Sequence, residues 1–503
     1  MGMQKDGGGM QDEYGEDMDK GSVVARFERF RLESGLTLPE VTVAYQTWGS
    51  LDAAGGNCVF VAHALTGNAD AASWWGGIIG PGCPLDTDRY LVVCANMLGS
   101  CYGTTGPLSE MPSGCPWVAP RPEGTHLAAA GGRFAADFPY CTLRDTVRLH
   151  RALLERLGVT AVHAVVGGSA GGMQALEWAL LFPDLVQRAV VIACGATQSA
   201  WQVAISEAQR QAIYHDPQWN GGYYSLDCPP SRGLAVARQE AMIWYRSREA
   251  YDTKFGRGAR GGRVGAASAP NLRAVHEEGR SGGALPPANG IAAAHGSAGE
   301  EGRGSTPLPS YAVEGYLEYQ GAKFVDRFDA GAYVALTRSL DSHDVGRERG
   351  GVEAALASIE QPVLVVGITS DVLYPLAMQQ ELAQGIPRAA LRVVTSGEGH
   401  DGFLLEVDQV GAHIREGLAM DPGGAAPPKR LLNALLQGGD ADVTPQLLLS
   451  SPAAMRQAML RTRPSSGLRP PGGVARPPNE EDPAQGGAPD GNDGGGSLGS
   501  VAW

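Results

Sequence analysis

The chain has 503 residues, 43% of them hydrophobic, enough for a sizeable core in about two or three domains or in one large domain with insertions. Its net charge of −14 argues against a nucleic-acid partner or an anionic membrane surface, because both require a basic field. The 71 glycines and 33 prolines are unevenly spread, which indicates loops and low-complexity segments between folded parts.

The cysteines and the N-terminus indicate the cellular compartment. None of the eight cysteines belongs to a C-x-x-C pair, so we expect reduced thiols and neither a redox motif nor a metal site. The first residues are Gly-rich and acidic, without the apolar run of a signal peptide. No run of about 18 apolar residues occurs, the length that a membrane helix needs. We therefore expect a cytoplasmic protein with no membrane partner.

The first part of the chain alternates short apolar runs with helical patterns. The runs are rich in β-forming residues and bounded by turn residues, which is typical of buried parallel strands. The first helical pattern ends at Gly158, a common C-terminal stop signal. Strands are predicted over residues 30–32, 41–48, 58–63, 90–95, 161–166 and 186–193, and helices over residues 142–157 and 171–181.

The alternation stops near Gly195 and resumes near residue 362. Between them, residues 196–344 contain helical pieces rich in Trp, Tyr and Arg, which we expect to form an inserted helical lid. We therefore expect one α/β fold with a mainly parallel, doubly wound sheet, whose core combines residues 22–195 with residues 345–420. In the second part of this core, strands are predicted over 362–367 and 391–395, and helices over 376–384 and 407–418.

Several segments are too poor in apolar residues to join a compact core. Residues 1–21, 257–310 and 421–503 cannot bury enough apolar surface to offset about 1–2 kcal/mol of backbone entropy per residue. We expect a disordered N-terminus, a lid insertion that loops outward and a mostly disordered tail, in which residues 429–437 form a short helix. Residues 108–133, rich in Pro, Gly and Ala, are expected to form a loop.

The pattern G-x-S-x-G occurs three times, centred on Ser169, Ser281 and Ser497. As a nucleophile motif it requires a strand that runs directly into a sharp turn and then a helix. Only Ser169 has this context, since the other two lie in low-complexity sequence. We therefore predict that Ser169 is the nucleophile of an α/β-hydrolase fold. The alternative is a Gly-rich turn that packs a helix against the sheet or binds a phosphate.

A serine nucleophile needs a general base, and the base needs an orienting carboxylate. In this fold both follow the serine along the chain, on loops after later strands. His400 lies in a Gly-rich loop after a predicted strand, whereas His413 lies within a predicted helix and is better explained as a solvated surface residue. Asp371 lies at another strand end. The alternatives are a turn histidine at His400 and a helix cap at Asp371.

An oxyanion hole is needed to hold charge on the tetrahedral intermediate. One donor is expected to be the backbone N–H of Ala170, next to the nucleophile. The second should come from the loop after an early strand, and Leu65 in the sequence HALTG is the candidate. His63 in the same sequence is interpreted as a structural histidine, because a second base is not required.

Taken together, these residues resemble the homoserine O-acetyltransferase family over about residues 22–420. The match in residues 316–347 is far more specific than G-x-S-x-G, which many esterases share. The matching segments are HALTG at 63–67, NMLGSCYGTTGP at 96–107, GGSAGGMQALEWA at 167–179, RQAIYHDPQW at 210–219, GLAVAR at 233–238, YLEYQGAKFVDRFDAGAYVALTRSLDSHDVGR at 316–347, GITSDVLYP at 367–375 and GHDGFLLE at 399–406.

The resemblance implies a ping-pong acyltransferase of methionine biosynthesis, with acetyl-CoA as co-substrate and no bound cofactor. An acetyl group would pass through Ser169 to the hydroxyl of homoserine. The family's substrate-carboxylate arginine falls on Arg238, a tyrosine near it on Tyr245, and the partner of the substrate ammonium on Asp401. From the residues alone, Arg238 is equally well explained as a surface residue and Tyr245 as a packing residue of the lid. The family also suggests a homodimer.

Two departures from the family pattern concern the acyl pocket. Ala170 stands where the family commonly has Met or Leu, and NADAA follows HALTG in place of the more usual bacterial form. Related enzymes use serine as acceptor or succinyl-CoA as donor, and another acetylates a cephalosporin precursor. A carboxylic-ester hydrolase with the same triad and a binding protein without catalytic activity are the further alternatives.

Overall fold

The computed structural model describes residues 21–112, 115, 117, 132–257 and 311–423, and all structural statements refer to them. Their strands are β1 (Val23–Arg31), β2 (Thr37–Trp48), β3 (Cys58–Ala62), β4 (Ile79–Gly80), β5 (Leu85–Asp86), β6 (Leu91–Ala95), β7 (Val162–Gly168), β8 (Ala189–Ile192), β9 (Val363–Ile368) and β10 (Ala389–Val394).

Helices connect and cover these strands. They are α1 (Ala71–Trp74), α2 (Leu143–Arg156), α3 (Ala170–Leu181), α4 (Ala200–Tyr214), α5 (Ser231–Tyr245), α6 (Arg248–Lys254), α7 (Ala312–Val325), α8 (Ala330–Asp341), α9 (Val352–Ala357), α10 (Leu376–Gly385), α11 (Gly402–Leu405) and α12 (Val407–Ala419). Short 3₁₀ turns occur at Ala135–Asp137, Asn220–Gly222 and Gly399–Asp401.

In the described part of the chain, the main sheet has eight strands in the order β1-β2-β6-β3-β7-β8-β9-β10. The pairs β1–β2 and β2–β6 are antiparallel, and every pair from β6 to β10 is parallel. Parallel neighbours require crossover connections, which the helices supply. The mainly parallel sheet predicted from the sequence is confirmed.

The sheet is covered on both faces. All residues of β3 are buried, and its side chains alternate between two hydrophobic clusters. Phe60 packs in the cluster that contains Met173 of α3, whereas Val61 packs in the one that contains Ile414 of α12. Burial on both faces explains why the strands are continuous apolar runs rather than alternating ones. The doubly wound arrangement is therefore also confirmed.

The helices α4–α8 lie between β8 and β9 along the chain, in the segment 196–344 that we expect to be the lid. The two ends of this segment meet, because Thr197 forms an isolated antiparallel bridge with Asp344. Val345 N–H also donates to the carbonyl of Ala196 at 3.0 Å. The chain therefore leaves the sheet and returns to it at one place.

The first strand differs from its prediction. The sequence predicts a strand over residues 30–32, but β1 begins at Val23 and ends at Arg31. β1 is an edge strand in which only Ala25 is buried, so it lacks the alternation of apolar and polar residues by which a strand is recognised.

Other predictions fall on residues that are not described. The expected disorder of residues 1–21, 257–310 and 421–503 concerns such residues almost entirely, and so does the helix expected at 429–437. Most of the loop expected at 108–133 also falls on residues that are not described. Within the described ranges, no helix is long and apolar enough to cross a membrane.

Candidate active site

Ser169 occupies a strained turn between β7 and α3. Its backbone has φ 58° and ψ −125°, a region that residues with a side chain rarely adopt. The turn is tied to the neighbouring strand β8, because Ser169 N–H donates to the carbonyl of Ile192 at 2.9 Å. Ser169 is 8% exposed, so its hydroxyl lies in a largely covered position at the carboxyl edge of the sheet.

The glycines around Ser169 are sterically required. A Cβ atom on Gly167 would overlap the carbonyl of Gly171, and one on Gly171 would overlap the carbonyl of Ala62 in β3. A Cβ on Gly172 would lie 2.8 Å from Sγ of Cys194. The glycines of the G-x-S-x-G pattern at Ser169 therefore allow a close approach of α3 to the sheet.

His400 and Asp371 form a buried pair. Nδ1 of His400 lies 2.6 Å from Oδ2 of Asp371, and the two residues are 3% and 4% exposed. The other carboxylate oxygen, Oδ1, accepts from the backbone N–H groups of Leu373 and Tyr374 at 2.9 and 2.8 Å. These bonds fix the carboxylate, which in turn orients the imidazole and leaves Nε2 available as a base.

The environment of His400 favours its protonated form. Burial disfavours the imidazolium, but the carboxylate of Asp371, together with a smaller contribution from Asp401, outweighs this effect, so the pKa of His400 is raised from its ordinary value. A raised pKa strengthens the imidazole as a base for a hydroxyl group. The Asp371–His400 pair can therefore accept a proton from a serine and return it to a leaving group.

Phe403 links Ser169 to His400. Gly168, directly before Ser169, packs against the Phe403 ring, and this ring lies edge-on to His400 with centroids 5.5 Å apart. Among the described residues, His400 is hydrogen-bonded to Asp371 but not to Ser169. In enzymes without bound substrate the bond between nucleophile and base is often long and tightens only in the complex.

The predicted oxyanion donors, Ala170 and Leu65, follow two neighbouring strands of the sheet, β7 and β3. Ala170 is the first residue of α3, where a backbone N–H has no acceptor within the helix. Leu65 lies in the loop after β3, the strand next to β7 in the sheet. Neither N–H donates to another group of the described residues, so both are available to a ligand.

His63 is locked in a neutral, structural role. Its Nδ1–H donates to the carbonyl of Ala64 at 2.8 Å, and its Nε2 accepts from Met97 N–H at 3.1 Å. Burial lowers the pKa of His63 to about 4. His63 thus braces the loop that carries Leu65 and is not a second base.

The three predicted substrate-binding residues also lie close to the His400 loop. The Tyr245 ring centroid is 6.0 Å from that of His400, and the guanidinium of Arg238 is 5.5 Å from the Tyr245 ring centroid. Asp401 directly follows His400, and burial raises its pKa although His400, Arg246 and Arg238 oppose this. The residues chosen at separate places in the sequence are therefore brought together at one site.

The comparisons with known proteins agree on fold and family. Residues 57–407 match a family model described as the alpha/beta hydrolase fold. A homoserine O-acetyltransferase of Salinibacter ruber is 46% identical over 75% of this chain and 92% of its own length. The chain belongs to the homoserine O-acetyltransferase family.

Solved structures of the same fold include relatives with different activities. A homoserine O-acetyltransferase from Bacillus anthracis has a TM-score of 0.64 at 22% identity, covering 80% of this chain and 99% of its own. Esterase E22 also has a TM-score of 0.64, at 25% identity, covering 79% of this chain and 99% of its own. The fold is therefore shared by transferases and esterases, and it does not by itself decide the acceptor.

Two arginines of this family member were not predicted as site residues. Nε of Arg246 lies 3.4 Å from Oδ2 of Asp401, and its guanidinium also pairs with Glu398. Arg327 reaches from the segment between α7 and α8 to the loop that carries Leu65. Two features of the sequence could have indicated these arginines. Arg246 directly follows Tyr245, and Arg327 lies within the family-like segment 316–347.

Side chains that could bind a metal ion do not cluster in the part of the chain that the structure describes. The described residues include no group of three or more His, Cys, Asp and Glu side chains that could hold a metal ion. None of the eight cysteines forms a disulfide, and burial raises the pKa of Cys58 and Cys101 to about 12. These buried thiols are protonated and play no part in the chemistry that the site offers.

Proposed function

We propose that the protein transfers an acetyl group from acetyl-CoA to the hydroxyl of L-homoserine, in methionine biosynthesis, through an acyl-enzyme on Ser169. The observation that carries this proposal is the 2.6 Å contact between His400 and Asp371, at the sheet edge where Ser169 forms a strained turn. Membership of the homoserine O-acetyltransferase family supports the choice of donor and acceptor.

In the first half-reaction, Nε2 of His400 removes the proton of the Ser169 hydroxyl while Oγ attacks the thioester carbonyl. The carbonyl oxygen becomes negative and is stabilised by the N–H groups of Leu65 and Ala170. Collapse of this intermediate breaks the carbon–sulfur bond. The thiolate of CoA takes the proton from His400, and the acetyl group remains on Ser169.

In the second half-reaction, His400 removes the proton of the homoserine hydroxyl, and the resulting oxygen attacks the acetyl-serine carbonyl. The same N–H groups stabilise the oxyanion. When the ester bond to Ser169 breaks, the serine oxygen takes back the proton from His400 and O-acetylhomoserine leaves. Asp371 keeps the imidazole in one tautomer through both halves.

Homoserine would be oriented by its carboxylate and ammonium groups. The guanidinium of Arg238 suits a bidentate bond to the carboxylate, beside the Tyr245 ring. Asp401 would pair with the ammonium. Because Arg246 already contacts Asp401 and Glu398, the ammonium would share the Asp401 carboxylate, while Arg246 keeps Glu398 as its second partner.

Hydrolysis is the first alternative, because the fold is shared with esterase E22 at 25% identity and the same three residues could use water as the acceptor. Succinyl transfer and transfer to serine are alternatives within the family. Ala170 is fully buried beside the nucleophile, and its small side chain is expected to widen the acyl pocket. The donor and the acceptor must therefore be tested separately.

The test measures free CoA released from acetyl-CoA with homoserine, with serine and with no acceptor, and repeats the first condition with succinyl-CoA. We expect rapid release only with acetyl-CoA and homoserine. Equal release without an acceptor would indicate a hydrolase, and faster release with serine would overturn the acceptor. Release from neither donor under any condition would support a binding protein without catalytic activity.

A matched set of serine variants tests the nucleophile. Ser169→Ala should abolish release, whereas Ser281→Ala and Ser497→Ala, at the two other G-x-S-x-G matches, should leave it unchanged. If Ser169→Ala keeps most of the activity, the acyl-enzyme mechanism is wrong.

We further propose a cytoplasmic homodimer that needs no bound cofactor. The absence of disulfides among the eight cysteines supports a reducing compartment. Sedimentation measures the oligomeric state, and localisation of the tagged full chain tests the compartment. Activity that survives exhaustive dialysis against a chelator supports the lack of a cofactor or metal.

A further inference from the structure

A pocket of about 390 Å³ lies outside the triad, on the side of the His400 loop that faces α6. Helix α6 contributes Tyr251 and Lys254 to its lining, and Phe255 directly follows that helix. The lining also includes Tyr316 of α7 and Gly397 and Glu398 of the His400 loop. Apart from Glu398, which pairs with Arg246, the mechanism uses none of these residues. The proposed reaction therefore does not account for this pocket.

Three aromatic rings form one wall of this pocket. The Phe255 and Tyr316 ring centroids are 5.0 Å apart, and Tyr251 lies 5.7 Å from Phe255 and 6.1 Å from Tyr316. All three side chains remain partly exposed. A partly exposed aromatic wall is a stacking surface for a planar heteroaromatic ring such as a nucleobase.

The cationic Lys254 lies at the same wall, and a second cation, Arg257, is close to it in the sequence. Nζ of Lys254 is 4.9 Å from the Tyr316 ring centroid, and Arg257 follows shortly after on the chain, with its guanidinium 5.1 Å from the Tyr311 ring. Both cations are exposed, so they can reach a phosphate without losing a buried partner. Aromatic and cationic groups together fit a nucleotide better than an apolar ligand.

The acidic residues of the lining do not oppose this assignment. The Glu398 carboxylate is paired with Arg246, which also lines the pocket, so its charge is compensated. Glu249 and Thr253 also line the pocket, and within the described ranges the Glu249 carboxylate has no hydrogen-bond or ion-pair partner. A carboxylate and a hydroxyl accept hydrogen bonds from ribose hydroxyls and from an adenine amino group.

The pocket and the triad share one wall. Arg246 lines the pocket, and its backbone packs against Gly399, the residue before His400. Tyr245, directly before Arg246, faces the His400 ring at 6.0 Å. Residues 245–246 and the His400 loop therefore border both the pocket and the base.

We propose that this pocket binds the adenosine diphosphate end of acetyl-CoA, with the base against Tyr316 and Phe255 and a phosphate near Lys254. The proposal rests on the function proposed above, in which acetyl-CoA is the donor. The flexible pantetheine arm separates the nucleotide of CoA from its thioester. A nucleotide site beside the His400 loop, but outside the triad, allows the arm to carry the acetyl group to Ser169.

The test compares donors with and without the nucleotide in the full-length enzyme. Acetyl-CoA is compared with acetyl-pantetheine, and p-nitrophenyl acetate reports the triad alone. The variants are Lys254→Glu and Tyr316→Leu. The matched control is Arg248→Glu, which makes the same charge change on the same helix at a side chain that is 94% exposed and does not line the pocket.

We expect Lys254→Glu to raise the KM for acetyl-CoA about tenfold or more, as for the loss of a charge-assisted contact. Tyr316→Leu should raise it as well, since the leucine keeps apolar volume but loses the ring. Both variants should turn over acetyl-pantetheine and p-nitrophenyl acetate at the same rate as the wild type. Adenosine 3′,5′-bisphosphate should compete with acetyl-CoA in the wild type and much more weakly in Lys254→Glu.

Two results would overturn the assignment in different ways. If Lys254→Glu and Tyr316→Leu handle acetyl-CoA like Arg248→Glu, the nucleotide binds elsewhere, although the proposed function stands. If the wild type turns over p-nitrophenyl acetate but releases no CoA from acetyl-CoA, the proposed function fails and the nucleotide site fails with it.

Discussion

Arg327 donates a hydrogen bond from Nη1 to the carbonyl of Thr66 at 3.1 Å, and the same atom contacts the hydroxyl of Tyr102 at 2.8 Å. Thr66 directly follows Leu65, the proposed oxyanion donor. The segment between α7 and α8 therefore contributes an arginine that holds the loop carrying Leu65.

We expect Arg327→Met to lower kcat roughly tenfold or more, because the Leu65 N–H loses its fixed position. Complete loss of one oxyanion donor costs about 100–1,000-fold, which sets the upper bound. The KM for homoserine should change little if Arg327 acts only through the loop. Steady-state kinetics with acetyl-CoA and homoserine separate the two parameters.

Two companion variants control this prediction. Arg327→Lys keeps one cationic donor and should restore part of kcat. Tyr102→Phe removes one partner of Arg327 but leaves the Thr66 bond, so its effect should be small. A rise in the KM for homoserine at constant kcat would instead make Arg327 a substrate ligand.

Asp371→Asn is expected to place the proton of His400 on the wrong nitrogen. The N–H groups of Leu373 and Tyr374 will keep an oxygen at the Oδ1 position, so the new amide NH₂ replaces Oδ2 opposite His400. An NH₂ group donates, which forces Nδ1 to accept and puts the proton on Nε2. We expect kcat to fall by about 10⁴-fold, as when a triad carboxylate becomes an amide.

The pH profile gives an independent measure of the same pair. His400 must be neutral to act as a base, and Asp371 raises its pKa, so wild-type kcat/KM should rise with pH through a midpoint above 6.5, the ordinary value. Without the carboxylate the pKa falls, and residual activity in Asp371→Asn should rise at lower pH. An unchanged midpoint would show that Asp371 does not control this titration.

Residues whose roles follow from local patterns were predictable from the sequence. β3 and β7 are short apolar runs because both faces of the sheet are covered. Helix α2 was located closely because its apolar residues recur at helical spacing and Gly158 follows its end. Ser169, Asp371 and His400 could be placed at one edge of the sheet because each follows a parallel strand that ends there.

Residues whose roles depend on distant contacts were not predictable in this way. Arg327 and Thr66 are 261 positions apart, and Arg246 and Glu398 are 152 apart. No periodicity or motif joins such pairs, and an arginine on a helix end is normally a solvated residue. Edge strand β1 was underestimated for a related reason, since its exposure removes the pattern that burial imposes.

Gly171→Ala should destabilise the fold through a backbone clash. The added methyl group would overlap the carbonyl of Ala62, and β3 lies between two other strands, so neither side can move freely. We expect a loss of about 3 kcal/mol or more in the free energy of unfolding, at the upper end of overpacking effects. Urea denaturation measures it. Gly76→Ala is the matched control, because a Cβ there meets no atom within 4 Å, and stability should change by less than about 0.5 kcal/mol.

The environment of His150 predicts that the stability of the fold depends on pH. It is fully buried, its Nε2–H donates to the carbonyl of Asn96 at 3.0 Å, and its Nδ1 has no hydrogen-bond partner among the described residues. Protonating Nδ1 would bury a charge and an unpaired donor. Burial accordingly lowers the pKa of His150 from 6.5 to about 4.

The sign follows from proton binding. Between pH 6.5 and 4 the unfolded chain binds a proton at His150 that the folded chain does not, so stability falls as pH falls through this window. The contribution is roughly 3 kcal/mol at about 1.4 kcal/mol per pH unit. His150→Gln keeps a donor for Asn96 but does not titrate. Urea denaturation from pH 7 to pH 4 should therefore show a smaller loss of stability in His150→Gln than in the wild type, and equal slopes would mean that His150 is protonated within the fold.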